Sequence, residues 1–143
     1  MLLKSVDPYS VLGWHEIDIT SELEAEARAR IFHYSYSALR EMVVPFDPVL
    51  KTIGSDRVIP VPVFELPHMY LHIGDYALLD GHRRLVSAKL IGAYFPVLVV
   101  QCADDFRYVE GYNRENLCGM SQSEFEQYRT HTIDCCLSFL ERE

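Results

Sequence analysis

The chain has 143 residues, 49% of them hydrophobic and 24% charged, with a formal net charge of −8 at pH 7. That length suits one domain with a real apolar core, and the acidic balance argues against DNA binding by this chain alone, since such binders carry a basic surface. The sequence shows no internal repeat, no apolar stretch of membrane-spanning length and no secretory signal pattern, so a cytoplasmic protein that does not enter a membrane is the expectation.

Residues 1–19 read as irregular or short-strand chain, with a turn at Asp7-Pro8-Tyr9-Ser10. Ser21 and Glu24 make a capping-box pattern, and Leu23, Ala27, Ile31, Tyr34, Leu39 and Met42 recur at helical spacing. A long helix over about 21–43 is expected, ended by Pro45 and Pro48. Val58 to Leu66 alternates, but its prolines demote it to an edge strand. His68 to Asp75 is a loop or hairpin arm. Tyr76 to Leu79 is a buried-type strand, Leu85 to Ile91 a short helix closed by Gly92, and Pro96 to Gln101 another apolar strand. Asp104-Asp105 marks a turn. A second capping box, Ser121 with Glu124, opens a helix over about 121–141. Its apolar stripe is Phe125, Tyr128, Thr132, Cys136 and Leu140, which must dock on the domain's own sheet or, as the alternative, on a second copy in a homodimer. The result is an α/β (α+β) domain over 1–143, a small mixed sheet with flanking helices.

The segment Asp80-Gly81-His82-Arg83-Arg84 joins a strand to a helix start. Glycine permits a sharp turn and close ligand approach, the first helical N–H groups lack intrahelical partners, and the dipole adds positive charge there. Arginine supplies forked donors suited to phosphate. Gly81, His82, Arg83 and Arg84 are therefore candidate phosphate contacts. The alternative is that Asp80 caps the helix while Arg83 and Arg84 lie on a solvated face. Adjacent helical residues point about 100° apart, so the two arginines do not share one phosphate group. The helix N-terminus disfavours a charged His82, which suits a neutral donor or else a capping or core histidine. Asp80 could hold magnesium through water, and Asp80, Glu110 and Glu16 are candidate bases for a phosphotransfer. His68 and His72 lie four residues apart, but Pro67 and strand-like neighbours argue against the helix that a metal pair would need. The spacing of Cys102, Cys118, Cys135 and Cys136 favours neither a zinc knuckle nor a disulfide framework, and core thiols are expected.

Tyr76 to Gly92, followed by Phe95-Pro96-Val97-Leu98-Val99-Val100, resembles the core of the ParB N-terminal/sulfiredoxin superfamily: a strand, a Gly-x-Arg-Arg-type box, an Ala-Lys helix, glycine, then a Val-Pro-Val-type strand. The segment covers some 25 of the 143 residues. Glu110-Gly111-Tyr112-Asn113-Arg114-Glu115-Asn116-Leu117 resembles that family's later Glu-Asn-x-Gln-Arg box, and Ser123 to Tyr128 its following Glu-rich helix. The resemblance implies a nucleotide such as ATP or CTP, with Mg2+, held at Gly81–Arg84. Arg114 would close the phosphate cage, Asn113 would reach a base or metal, and Asp80, His82 and Glu110 would be the candidate catalytic groups. For Asn113 and Arg114 a solvated loop is the alternative.

Departures from the pattern narrow this. Gly81 stands where sulfiredoxins carry their catalytic cysteine, so sulfinic-acid reduction is not expected. His82 replaces the partition proteins' glutamate, and Gly111 replaces the metal-holding asparagine, which puts CTP hydrolysis in doubt. Only 59 residues follow Arg84 and they hold no helix-turn-helix, so chromosome partition by this chain alone is not expected. The expectation is a stand-alone ParB/sulfiredoxin-like domain that binds a nucleotide or a phosphorylated small molecule. The alternatives are a small phosphotransferase, nucleotide hydrolase or nuclease, and a catalytically inactive interaction module.

Overall fold

Two apolar runs, Val61–Glu65 (β4) and Phe95–Val99 (β6), lie side by side and parallel at the centre of the sheet. The structure is a computed structural model that describes residues 2–29, 42–43, 61–70, 72–92, 95–108 and 117–141. The other strands among these residues are β1 (Leu2–Val6), β2 (Val11–Leu12), β3 (Met42–Val43) and β5 (Tyr76–Leu78). They form one mixed sheet in the order β2-β5-β4-β6-β1-β3. β5 runs antiparallel to β4 with Val63 opposite Leu78, β1 runs antiparallel to β6 with Leu3 opposite Leu98, and β2 pairs parallel with β5. The described helices are α1 (Ser21–Ala29), α2 (His82–Ile91) and α3 (Gln122–Glu141), so the expected α/β class holds.

β4 is buried from Val61 to Phe64 because both sheet faces are covered. On one face Val61, Val63, Tyr76, Leu78, Val97 and Val99 pack against Leu85 and Ala88 of α2, and α1 packs on α2 in turn. On the other face Phe64, Leu98 and Val100 meet Phe106 and Phe125, with ring centroids of Phe64 and Phe125 5.7 Å apart. Beside them Leu66 and Ala77 take Ile133 and Cys136 of α3. The C-terminal helix thus docks on its own sheet, as its stripe demanded, although Leu140 at its end is exposed.

Three expectations change. β4 is a central strand, not an edge strand. Pro62 turns its carbonyl toward β5, where it accepts the Leu79 N–H at 3.0 Å. The N–H that proline lacks would face the same side, at the last residue pair before the chain leaves β5 for α2, so a single bond is forgone. The long helix is described only to Ala29; residues 30–41 lie outside the described residues, and Met42–Val43 is strand paired with β1, so the helix does not reach 43. A β-branched pair before Pro45 disfavours helix there. The cap of α1 is Thr20 rather than Ser21: Thr20 Oγ1 accepts the Leu23 N–H at 3.1 Å and its carbonyl accepts from Glu24.

The second capping box forms reciprocally. Ser121 Oγ accepts the Glu124 N–H at 3.2 Å and Glu124 Oε1 accepts the Ser121 N–H at 3.1 Å. The Ser121 backbone N–H first, and then the Ser121 side chain, hold the Glu124 carboxyl below its ordinary range. Gly92 ends α2 in the left-handed conformation, its N–H turned to the carbonyls of Ala88 and Lys89.

Candidate functional site

The chain leaves β5 at Leu78, turns through Leu79, Asp80 and Gly81, and enters α2 at His82. Gly81 is the N-cap, with φ 97° and ψ 28°, a conformation an L side chain avoids. A Cβ there would stand 2.6 Å from Val61 Cγ1, so the turn is pressed against the central strand. α2 has no side-chain cap, and its first backbone bond runs from the Leu85 N–H to the Gly81 carbonyl at 3.0 Å. Asp80 does not cap the helix; its Oδ1 accepts the Gly81 N–H at 2.9 Å, one residue ahead of the helix, and the residue is exposed.

Arg83 is exposed and Arg84 half-buried, and Arg84 Nε lies 3.9 Å from where a Gly81 Cβ would be. Successive helical positions lie about 100° apart, and of the two it is Arg84 that reaches the turn.

His82 is 8% exposed. Its Nε2 accepts the Trp14 N–H at 3.0 Å, which assigns the ring proton to Nδ1 in the neutral tautomer. Burial, then the neighbouring His15, lower its pKa from 6.5 to about 4, against a smaller opposing pull from Asp80. At neutral pH it is an uncharged imidazole that ties the start of α2 to the loop after β2.

That loop was not legible as part of the site. Trp14 stacks edge-on against His82 at 4.6 Å between centroids, and its indole N–H donates to the Leu78 carbonyl at 2.8 Å. His15 lies 5.9 Å from His82, ring to ring. A Cβ on Gly13 would come within 3.0 Å of His82 Cδ2, so glycine lets the imidazole pack against this backbone. The available signal was the chain's single tryptophan directly after a glycine, just past an apolar dipeptide. Nothing in the spacing of residues 13–15 and 80–84 announces their contact.

Glu110, Asn113 and Arg114, the groups expected from the later box, lie outside the described residues. Glu16 is exposed, and its carbonyl is 3.0 Å from His15 Nδ1. His68 lies in a 3-10 turn and His72 in a turn, both exposed, so they lack the helical spacing of a metal pair. Of the four cysteines only Cys136 is a core thiol, contrary to expectation; Cys102 is exposed and Cys118 and Cys135 are half-buried. Cys136 Sγ donates to the Leu12 carbonyl at 3.4 Å, and burial pushes its pKa up to about 12. The spacing could not separate these thiols, because exposure depends on which turn of α3 faces the sheet. Among the described residues no group of three or more metal-ligating side chains is present, and no helix is long and apolar enough to cross a membrane.

No protein-family model and no curated protein matches the chain.

Proposed function

We propose that this chain binds the phosphate of a nucleotide or a phosphorylated small molecule at the Asp80–Arg84 turn, as a ParB/sulfiredoxin-like domain would. The observation that carries the reading is the start of α2. A helix N-terminus without a side-chain cap follows a left-handed glycine and carries two successive arginines. Such an end favours anions through its outward N–H groups and dipole. Asp80 already places one carboxylate oxygen on the Gly81 N–H. A ligand phosphate would displace that oxygen or share Mg2+ with it, so binding should be stronger with magnesium than without.

Binding is favoured over acid–base catalysis by His82. Its Nε2 lone pair is engaged by the Trp14 N–H, and its low pKa makes it a weak base at neutral pH. It positions the turn instead.

The test is titration calorimetry with ATP, CTP and inorganic pyrophosphate, with and without Mg2+. Arg83→Ala should weaken binding by about 1.5–3 kcal/mol, roughly 10–150-fold, the range for hydrogen bonds to charged groups. Absence of heat and of any thermal shift with all three probes refutes the reading. Release of inorganic phosphate during the titration would instead favour the nucleotide-hydrolase alternative.

A further inference from the structure

The solvent-facing side of α3 carries a feature that phosphate binding does not use. The buried residues of α3 are Phe125, Thr132, Ile133 and Cys136, which face the sheet. His131, exposed, and Cys135, half-buried, lie one helical turn apart outside that buried set. Their side chains meet, with Cys135 Sγ 3.7 Å from His131 Nε2.

We propose that His131 and Cys135 form a two-residue chelate for a thiophilic divalent cation of the zinc class, with water completing the coordination shell. The separation is the first argument. With bonds of about 2.3 Å to sulfur and about 2.0–2.1 Å to nitrogen, a 3.7 Å bite subtends about 114–119° at the metal, near the tetrahedral angle. No backbone movement is needed to close the chelate. Ligand chemistry is the second, since thiolate with imidazole is the donor pair that zinc and its congeners prefer. The setting is the third. His131 lines a shallow surface hollow beside Asp134, so this ligand is reached directly from solvent with a carboxylate nearby. Both donors sit on a helix capped at Ser121 and anchored by Phe125, which holds their spacing. The other thiols offer less: Cys136 is buried with its sulfur turned to the Leu12 carbonyl, and Cys102 and Cys118 lie outside α3.

Binding expels the Cys135 thiol proton to solvent, and sulfur and Nε2 each donate an electron pair while the imidazole proton stays on Nδ1. Affinity therefore falls as the pH is lowered.

The experiment is titration of reduced, tag-free protein with cobalt(II), followed by thiolate-to-cobalt charge-transfer absorption, then displacement by zinc. One cobalt per chain is expected. Cys135→Ser should abolish the band, His131→Gln should weaken binding at least tenfold, and Cys102→Ser and Cys118→Ser should leave it unchanged. Circular dichroism checks that the variants remain folded, as positions outside the fully buried core should. A doubling of mass on metal addition with one cobalt per two chains, lost in both α3 variants, also supports the pair, with a second copy replacing the waters. The proposal is overturned if no band appears at millimolar cobalt, if Cys135→Ser retains it, or if His131→Gln binds as tightly as the parent.

Discussion

Replacing Gly81 with alanine should destabilise the protein through two separable effects. At φ 97° the added Cβ costs about 1–2 kcal/mol of backbone strain. The same atom would stand 2.6 Å from Val61 Cγ1 and 3.2 Å from Val61 Cβ, atoms of a fully buried central strand that cannot swing aside. Overpacking of this kind costs about a further 1–3 kcal/mol. The expected loss is about 2–5 kcal/mol, a large part of a small domain's stability. Gly92→Ala is the control. Its φ is 65°, but a Cβ there meets nothing within 4 Å, so only the backbone cost of about 1 kcal/mol applies. Urea unfolding would measure both. A double-mutant cycle with Val61→Ala isolates the clash, because shortening Val61 removes the atom that the new methyl group would strike. The double variant should then lose at least about 1 kcal/mol less than the sum of the singles. Strict additivity, or a Gly81→Ala loss no larger than that of Gly92→Ala, would refute the packing argument. The same clash means that Gly81→Val probes stability as well as phosphate binding, so ligand tests are better made at Arg83.

Three other outcomes follow from particular contacts. His82 has a folded pKa of about 4 against 6.5 unfolded, so the unfolded state takes up the proton first; stability should be complete above about pH 6.5 and fall by roughly 2–3 kcal/mol as the pH drops toward 4. His82→Gln should flatten that slope in denaturation curves taken between pH 7 and 4, and an unchanged slope would show that another group is responsible. Thr20→Ala should cost about 1 kcal/mol and Ser21→Ala only a few tenths, because the Leu23 N–H is bonded by Thr20; equal losses in thermal melts would contradict that assignment. Phe125→Ala should cost about 3–5 kcal/mol in the monomer, since the ring is fully buried among Phe64, Phe106 and Tyr128. A folded, fully stable variant whose assembly mass halves would mean that this helix serves a dimer instead.

Local chemistry determined much from the sequence alone. The Ser121–Glu124 box, the Gly92 stop, the turn at Asp7, the buried strand at Tyr76 and the stripe on α3 each depend on residues within one or two turns of one another, and each is found where the pattern placed it. The strand–glycine–helix junction at Gly81 belongs with them, including its positive φ. What needed the tertiary structure is whatever depends on neighbours distant in the chain. Pro62 reads as an edge signal until β5 is seen to turn away beside its missing N–H. His82 reads equally well as ligand contact or core histidine until Trp14, 68 positions away, donates to its Nε2. The four cysteines look alike until the docking of α3 buries Cys136 and sets its thiol on the Leu12 carbonyl, 124 positions away. In each case the deciding energy is desolvation or hydrogen-bond satisfaction by a remote partner, and no local periodicity encodes which partner arrives.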